Sequence, residues 1–241
     1  MVRQNFEITQ KDGYANIVTS SDVAVQEFLC KKLAELLPGS GFLCEESDYW
    51  ELNKEYTWII DPIDGTANYS RGIDQCAISV ALKHGAEMEM GVVYVPWANE
   101  LFHAEKGKGA FLNGKPIHVS NRPYENAVLC TALPVYHKEF APICQEIILE
   151  TFLQINDVRR FGAAAPELCY LGMGRCELYF EYLLSPWDFA AASVILTEAG
   201  GIVTDRKGNP LTFTEPSGVL AANCKETHER MLAIIKQKIK D

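Results

Sequence analysis

Trp58-Ile59-Ile60-Asp61-Pro62-Ile63-Asp64-Gly65-Thr66 is a short strand that runs straight into a turn rich in oxygen donors. Trp58 to Ile60 is apolar and β-prone, and Pro62 and Gly65 stop it sharply. Asp61 and Asp64 flank a proline that fixes φ and donates no hydrogen bond, which leaves the Ile63 carbonyl free as a third oxygen donor. Gly65-Thr66 stands where a short helix can begin, and the amides and dipole at a helix start favour an anion. Hard oxygen ligands beside an anion cradle point to Mg2+ and phosphoryl chemistry. Two carboxylates alone also fit an ordinary Asp-Pro turn, so the rest of the chain has to decide between the two readings.

The chain has 241 residues, enough for one domain or for two lobes sharing a core. Nearly half of it is apolar (48%), which argues against disorder. Its net charge is −10 and no basic run is longer than a pair, which argues against nucleic acid as a partner. An acidic chain still binds phosphate where cations reverse the local field, so a phosphorylated substrate is not excluded. Cys30, Cys44, Cys76, Cys130, Cys144, Cys169, Cys176 and Cys224 form no C-x-x-C pair and read as reduced, buried thiols of a cytoplasmic protein. The start of the chain has no apolar leader, and no run approaches membrane-spanning length, so no membrane contact is expected.

Thr19-Ser20-Ser21-Asp22 marks a helix start, followed by Val23, Val25, Phe28, Leu29, Leu33, Leu36 and Leu37 near helical spacing. Gly41 to Cys44 reads as a strand that delivers Glu45 and Glu46. Strands are predicted over Ala77–Leu82 and Met90–Val95, with a hairpin at Asn113-Gly114. From about Asn121 strand and helix alternate. Strands are expected near Val128–Ala132, Val158–Phe161, Leu178–Tyr182, Gly201–Thr204 and Val219–Ala222. Helices are expected near Phe140–Phe152, Ala164–Met173, Asp188–Glu198 and Thr227–Ile239. The pattern predicts an α/β (α+β layered) fold of alternating helix and sheet layers. Its expected lobes are 1–120, α+β with most of the metal ligands, and 121–241, α/β with the substrate residues.

Asp22, Glu45 with Glu46, Asp61 with Asp64, and Asp188 each sit at the edge of an element. Taken singly, Asp22 and Asp188 are ordinary helix-start charges and Glu45-Glu46 a solvated loop. Taken together, the chain resembles the inositol monophosphatase family of lithium-sensitive, Mg2+-dependent phosphatases. The matching stretches are WIIDPIDGTAN (58–68), WDFAAASVILTEAGG (187–201), CEES (44–47) and KDGYANIVTSSD (11–22), so the likeness covers nearly the whole chain.

The resemblance implies an αβαβα sandwich of the sugar phosphatase type and a phosphomonoester hydrolase working by metal-activated water attack. It implies two or three Mg2+ ions held by Glu45, Asp61, the Ile63 carbonyl, Asp64 and Asp188. Gly65 and Thr66 would cradle the phosphate, and Asp22, Thr66 and Glu45 would be catalytic. Asp64, Gly162, Ala163, Ala164 and Glu181 would face the substrate, a small phosphorylated polyol or sugar such as inositol monophosphate. Where this chain has Ala163, relatives often carry Thr or Ser, so one hydroxyl contact is missing. Only ten residues precede Lys11, which leaves the family's usual homodimer open.

Histidinol phosphatase and fructose-1,6-bisphosphatase activities are alternatives within the family, and Tyr69-Ser70-Arg71-Gly72 fits the first. A non-catalytic interaction protein on the same fold is the alternative of another class. Aspartyl-phosphate chemistry needs D-x-D where this chain has D-x-x-D, and a P-loop is absent. Gly107-Lys108-Gly109 reads as a hairpin loop.

Overall fold

A computed structural model of the chain describes residues 6–11, 16–46, 51 and 54–239. Residues 12–15 of the Lys11–Asp22 stretch and Ser47 of the CEES stretch lie outside the described residues.

A small antiparallel hairpin, β1 (Ile8–Gln10) and β2 (Ile17–Thr19), leads into α1 (Ser20–Leu36). There follow β3 (Gly41–Cys44), β4 (Tyr56–Asp64) and the short α2 (Thr66–Arg71). β5 (Ala77–His84), β6 (Glu87–Val95), β7 (Glu100–Glu105), β8 (Ala110–Leu112) and β9 (Lys115–Ile117) complete a seven-stranded sheet in sequence order from β3. Only its β3–β4 pair is parallel.

The second half supplies β10 (Val128–Thr131), α3 (Ala141–Phe152), β11 (Asp157–Arg159), α4 (Ala164–Gly172) and β12 (Leu178–Leu184). It ends with α5 (Pro186–Glu198), β13 (Ile202–Thr204), β14 (Ser217–Ala222) and α6 (Lys225–Lys238). The five strands order as β11-β10-β12-β14-β13.

α1 packs on the outer face of the seven-stranded sheet, through Leu29, Leu33 and Leu37 against Cys44, Trp58 and Ile60. α4 and α5 lie between the two sheets, and their core joins Leu43, Ile59 and Phe102 to Leu168, Tyr179 and Val219. α3 and α6 cover the far side of the five-stranded sheet, where Ile147, Met231 and Ile235 meet Leu129, Phe180 and Leu220. The layers therefore run helix, sheet, helix, sheet, helix, as expected. Val23, Phe28 and Leu36, predicted to join the buried face of α1, are exposed, because one sheet covers only one stripe of that helix. All eight cysteines are free; Cys224 is exposed and Cys30 half-buried, and the other six are buried. Among the described residues no helix is long and apolar enough to cross a membrane.

What lets α5 lie so close to the sheet is a row of small residues. Ala81, Gly91, Ala104 and Ala110 face one another across β5, β6, β7 and β8, and Ala190, Ala191 and Ala192 settle onto that row. A Cβ at Gly91 would stand 2.2 Å from the Ala191 carbonyl oxygen, so nothing larger than hydrogen fits. Gly91→Ala should lift α5 and destabilise the fold by about 1 to 3 kcal/mol, the range for overpacked cores. Because Asp188 lies one turn upstream of Ala191, the same variant should also loosen the acidic site described below. Urea denaturation checks the first effect, and an unchanged midpoint would show that the helix rides elsewhere.

Candidate active site

β4 and β5 pair Asp61 with Ser79 and Asp64 with Ala77, so three steps on one strand oppose two on the other. In an unbroken strand, residues three apart face opposite sides of the sheet. The extra residue, inserted where Pro62 has no N–H to give the ladder, restores Asp61 and Asp64 to one side. Asp61 is 1% exposed and its Oδ1 accepts from the Ile63 amide at 3.0 Å. Asp64 is buried, and its Oδ2 accepts from the Ala165 amide at 2.6 Å in the first turn of α4.

Asp22 and Asp188 use one oxygen each to reach back to the start of their own helix. Asp22 Oδ2 accepts from the Thr19 amide at 2.8 Å, and Asp188 Oδ2 from the Ser185 amide at 2.8 Å. The helix-start reading and the functional reading are thus both satisfied, since capping occupies one oxygen and aims the other. For Asp22 that second oxygen lies 3.0 Å from the Thr66 hydroxyl, which is also 3.0 Å from the Ile63 carbonyl. Two residues 44 apart in sequence meet here, inside the fold, where Asp22 is fully buried. The Ser79 hydroxyl, opposite Asp61, donates to the Trp187 carbonyl at 3.3 Å and ties the head of α5 to the same strands.

Glu45 follows β3, its amide bonded to the Ile60 carbonyl at 3.2 Å. Its carboxyl is pushed up to about 7, first by burial, with Lys11 opposing and Glu46 adding. Asp61 is raised well above the carboxylate range by burial and then by Glu45, Asp64 and Asp188. Asp188 is raised likewise by burial, then by Asp64 and Glu45. Asp64 is pushed up to about 6 by burial, against the amides of Ala165 and Ala164. Four carboxyl groups from three separate chain segments therefore sense one another's charge.

Among the described residues the cation that faces Glu45 is Lys11, whose Nζ is 3.8 Å away and is bound more tightly to Glu46 at 2.6 Å. This is an all-oxygen, net-negative donor set with unspent charge, and it fits a hard divalent cation such as Mg2+. Among the described residues no three acidic, His or Cys side chains close to direct-ligand spacing. Asp61, Asp64 and Asp188 each lean instead on a backbone amide.

Gly65 begins α2 with φ +87°, and a Cβ there would stand 2.9 Å from the Gln75 carbonyl and 3.0 Å from the Ala163 Cβ. The turn thus needs glycine, and it brings the Gly65 and Thr66 amides to a first helical turn that offers them no intrahelical acceptor. Ala163 and Ala164 are buried on the facing wall beside Gly162. Glu181 stands on β12, takes a 2.7 Å hydrogen bond from the Tyr179 hydroxyl, and is pushed up to about 7, mainly by burial.

Three participants escaped the sequence reading. Lys11 opened a matching stretch but had no role assigned. Tyr136 is 60% exposed, yet its phenol is pushed up to about 12, by local burial and then by Glu45, Asp188, Asp61 and Asp64. Glu167 is fully buried behind the 161–163 turn. Only Lys11 sits in a recognisable local motif, and that motif assigns it no role.

The layered fold thus gathers carboxyl groups from strand ends and helix starts beside a glycine-opened helix. The inositol monophosphatase family model matches residues 2–240, and the chain belongs to that family. It is 38% identical over 233 residues to a putative Nus factor SuhB of Neisseria meningitidis, covering 96% of this chain and 88% of that protein. The extragenic suppressor protein suhB of Bartonella henselae superposes with a TM-score of 0.90 at 32% identity, covering 98% of this chain and 90% of that one. An IMPase of Thermotoga maritima superposes at 0.86 with 30% identity, covering 96% and 88%.

Proposed function

We propose that the chain is a Mg2+-dependent phosphomonoester hydrolase acting on inositol monophosphate or a related small polyol or sugar phosphate. The observation that carries this reading is the Thr66–Asp22 hydrogen bond at 3.0 Å, set beside the converging carboxyl groups and the Gly65 turn. Glu45, Asp61, the Ile63 carbonyl, Asp64 and Asp188 would hold the ions. When bound, Mg2+ supplies neutralisation of phosphate charge and a lowered pKa for water. Thr66 and Asp22 form a relay whose carboxylate, buried and anchored by the Thr19 amide, accepts a proton passed through the hydroxyl. The amides of Gly65 and Thr66 orient the phosphate at a helix start. Gly162, Ala163, Ala164, Asp64 and Glu181 form the wall that faces the alcohol part of the ester.

Thr66→Ala should lower kcat by about a hundredfold with little change in KM, because it removes positioning of the attacking water and not of the phosphate. Steady-state kinetics on one ester checks this, and a loss confined to KM would reassign Thr66 to binding. The substrate is decided by kcat/KM with Mg2+ across inositol 1-phosphate, histidinol phosphate, fructose 1,6-bisphosphate and adenosine bisphosphate. Failure to release phosphate from any of them would sink the hydrolase reading. Lithium sensitivity belongs to the same reading, and unchanged turnover in millimolar lithium removes it. The net charge of −10 supports a small phosphate ester over nucleic acid as the direct ligand.

The likeness to a putative Nus factor supports a second reading, in which the fold also serves as a binding partner. The two separate cleanly: an Asp64→Asn chain should lose hydrolysis under either, but keep partner binding only under the second.

A further inference from the structure

The turn at Phe161–Gly162 is gripped from both sides. The amides of Phe161 and Gly162 donate to one carboxyl oxygen, Glu167 Oε1, at 3.0 and 2.8 Å. On the other side the Phe161 carbonyl accepts from Asn68 Nδ2 at 2.8 Å, and the Gly162 carbonyl lies 3.4 Å from the same nitrogen. Asn68 Nδ2 also donates to the Gln75 carbonyl at 2.8 Å. One side-chain amide therefore ties together α2, the segment ahead of β5 and the turn ahead of α4. Gly162 has φ +85°, and a Cβ there would meet Asn68 Nδ2 at 3.3 Å, so the amide packs directly on the turn.

Glu167 is 0% exposed, and its second oxygen has no hydrogen-bond partner among the described residues. Leaving a buried polar atom unpaired is costly, so its place under the turn is not explained by stability alone. The gripped turn presses Ala163 to contact with Gly65, where a glycine Cβ would come within 3.0 Å of the Ala163 Cβ. Asn68 and Glu167 thus fix how far the ring-facing wall stands from the phosphate turn.

We propose that Asn68 and Glu167 are positioning residues whose grip on Phe161–Ala163 sets selectivity for a cyclic polyol phosphate over an open-chain phosphate ester. The inference rests on the phosphatase reading. A ring holds its hydroxyls at one separation from its phosphate, so wall and cradle must be correctly spaced for both to be met. An open-chain ester bends to suit and tolerates a displaced wall.

The test compares inositol 1-phosphate with glycerol 2-phosphate in the wild type and in Asn68→Ala, Glu167→Ala and Glu167→Gln. The alanine variants should lower the ratio of kcat/KM for the ring over the open chain by about tenfold, through KM for the ring. Glu167→Gln keeps a carbonyl oxygen for both amides and should stay within about twofold of wild type. Hydrogen exchange of the Phe161 and Gly162 amides should quicken in Glu167→Ala and not in Glu167→Gln. If Glu167→Ala is unfolded at the assay temperature, the half-buried Asn68 variant carries the comparison. A wild type that cleaves neither ester removes the phosphatase reading and this inference with it. A wild type that cleaves both, with an unchanged ratio in the alanine variants, removes the inference alone.

Discussion

Asp61→Asn should abolish Mg2+-dependent phosphate release, by about a thousandfold or more, while raising the melting temperature of the metal-free chain. The loss follows from the place of Asp61 in the donor set, where its carboxyl senses Glu45, Asp64 and Asp188 together. On the proposed reading, removing one charge from a site that attracts a dication and neutralises phosphate costs about 4 kcal/mol of transition-state stabilisation, three orders of magnitude in rate. The gain in stability has the same origin. Asp61 is 1% exposed; its hydrogen bond from the Ile63 amide at 3.0 Å is kept by the oxygen of an asparagine amide, and the amide N–H of that asparagine can donate to the Glu45 carboxyl that Asp61 bonds. What the substitution removes is a buried carboxyl that must either hold a proton its unfolded form would release or carry charge among like charges, and both oppose folding when no cation is present. Active sites commonly hold such strain against stability. Phosphate release and calorimetric melting in chelator measure the two halves. An Asp61→Asn protein that still turns over, or that melts lower without metal, would show that Asp61 is only a structural carboxylate of the β4 turn.

Much of the scaffold was legible locally. Asn113-Gly114 announced a two-residue hairpin, and both residues adopt positive φ, 49° and 75°, between β8 and β9. Gly107-Lys108-Gly109 is a hairpin loop as read, with the Glu198 carboxylate accepting from the Gly107 and Gly109 amides at 2.8 Å each. β7 was not predicted, because Glu100 and Glu105 at its ends hide the alternation of Phe102 and Ala104. The expected strand at Val158–Phe161 forms only over Asp157–Arg159, because the Phe161 amide is claimed by Glu167 and not by a neighbouring strand. Candidate-site residues were legible where each one sits at a helix start or strand end, as Asp22, Asp64 and Asp188 do. The strand expected to stop after Ile60 instead runs on through Asp61 to Asp64, because the extra residue at the β4–β5 register shift absorbs Pro62. Asn68 and Glu167 were not legible, since their partners lie across the fold: Asn68 meets Phe161 over 93 residues. No local pattern encodes that meeting; only the packing of α2 against the turn ahead of α4 creates it.

The metal-free chain should lose stability as pH rises from about 5 to about 8, and Mg2+ should reduce that loss. Glu45 and Glu181 are each pushed up to about 7 and Asp64 to about 6, in every case first by burial, and Asp61 and Asp188 are raised further. Unfolded carboxyls titrate near 4, so between that value and about 7 the folded chain holds protons that the unfolded chain has released. For an acid raised on folding, stability is fullest below the unfolded pKa and declines as pH climbs through the folded one. A salt-bridged carboxylate gives the opposite slope. At about 1.4 kcal/mol per pKa unit, the shared shifts amount to several kcal/mol, reduced by coupling and by the residual exposure of Glu45. His228, lowered by burial, works against the trend, as do the exposed acids Glu87, Glu105, Glu125 and Asp157, held down by their cationic partners, while buried Glu167, pushed up to about 9, and Glu46 add to it. On the proposed reading Mg2+ binds the deprotonated cluster, so at about pH 8 it should restore the share of stability lost there, while at about pH 5 protons compete with it and it should add little. Calorimetric melting at unit steps of pH, in chelator and in about 10 mM Mg2+, reads both slopes. A metal-free profile that stays flat or rises toward pH 8, or a Mg2+ increment equal at both ends, would show that the carboxyl groups do not share one charged site.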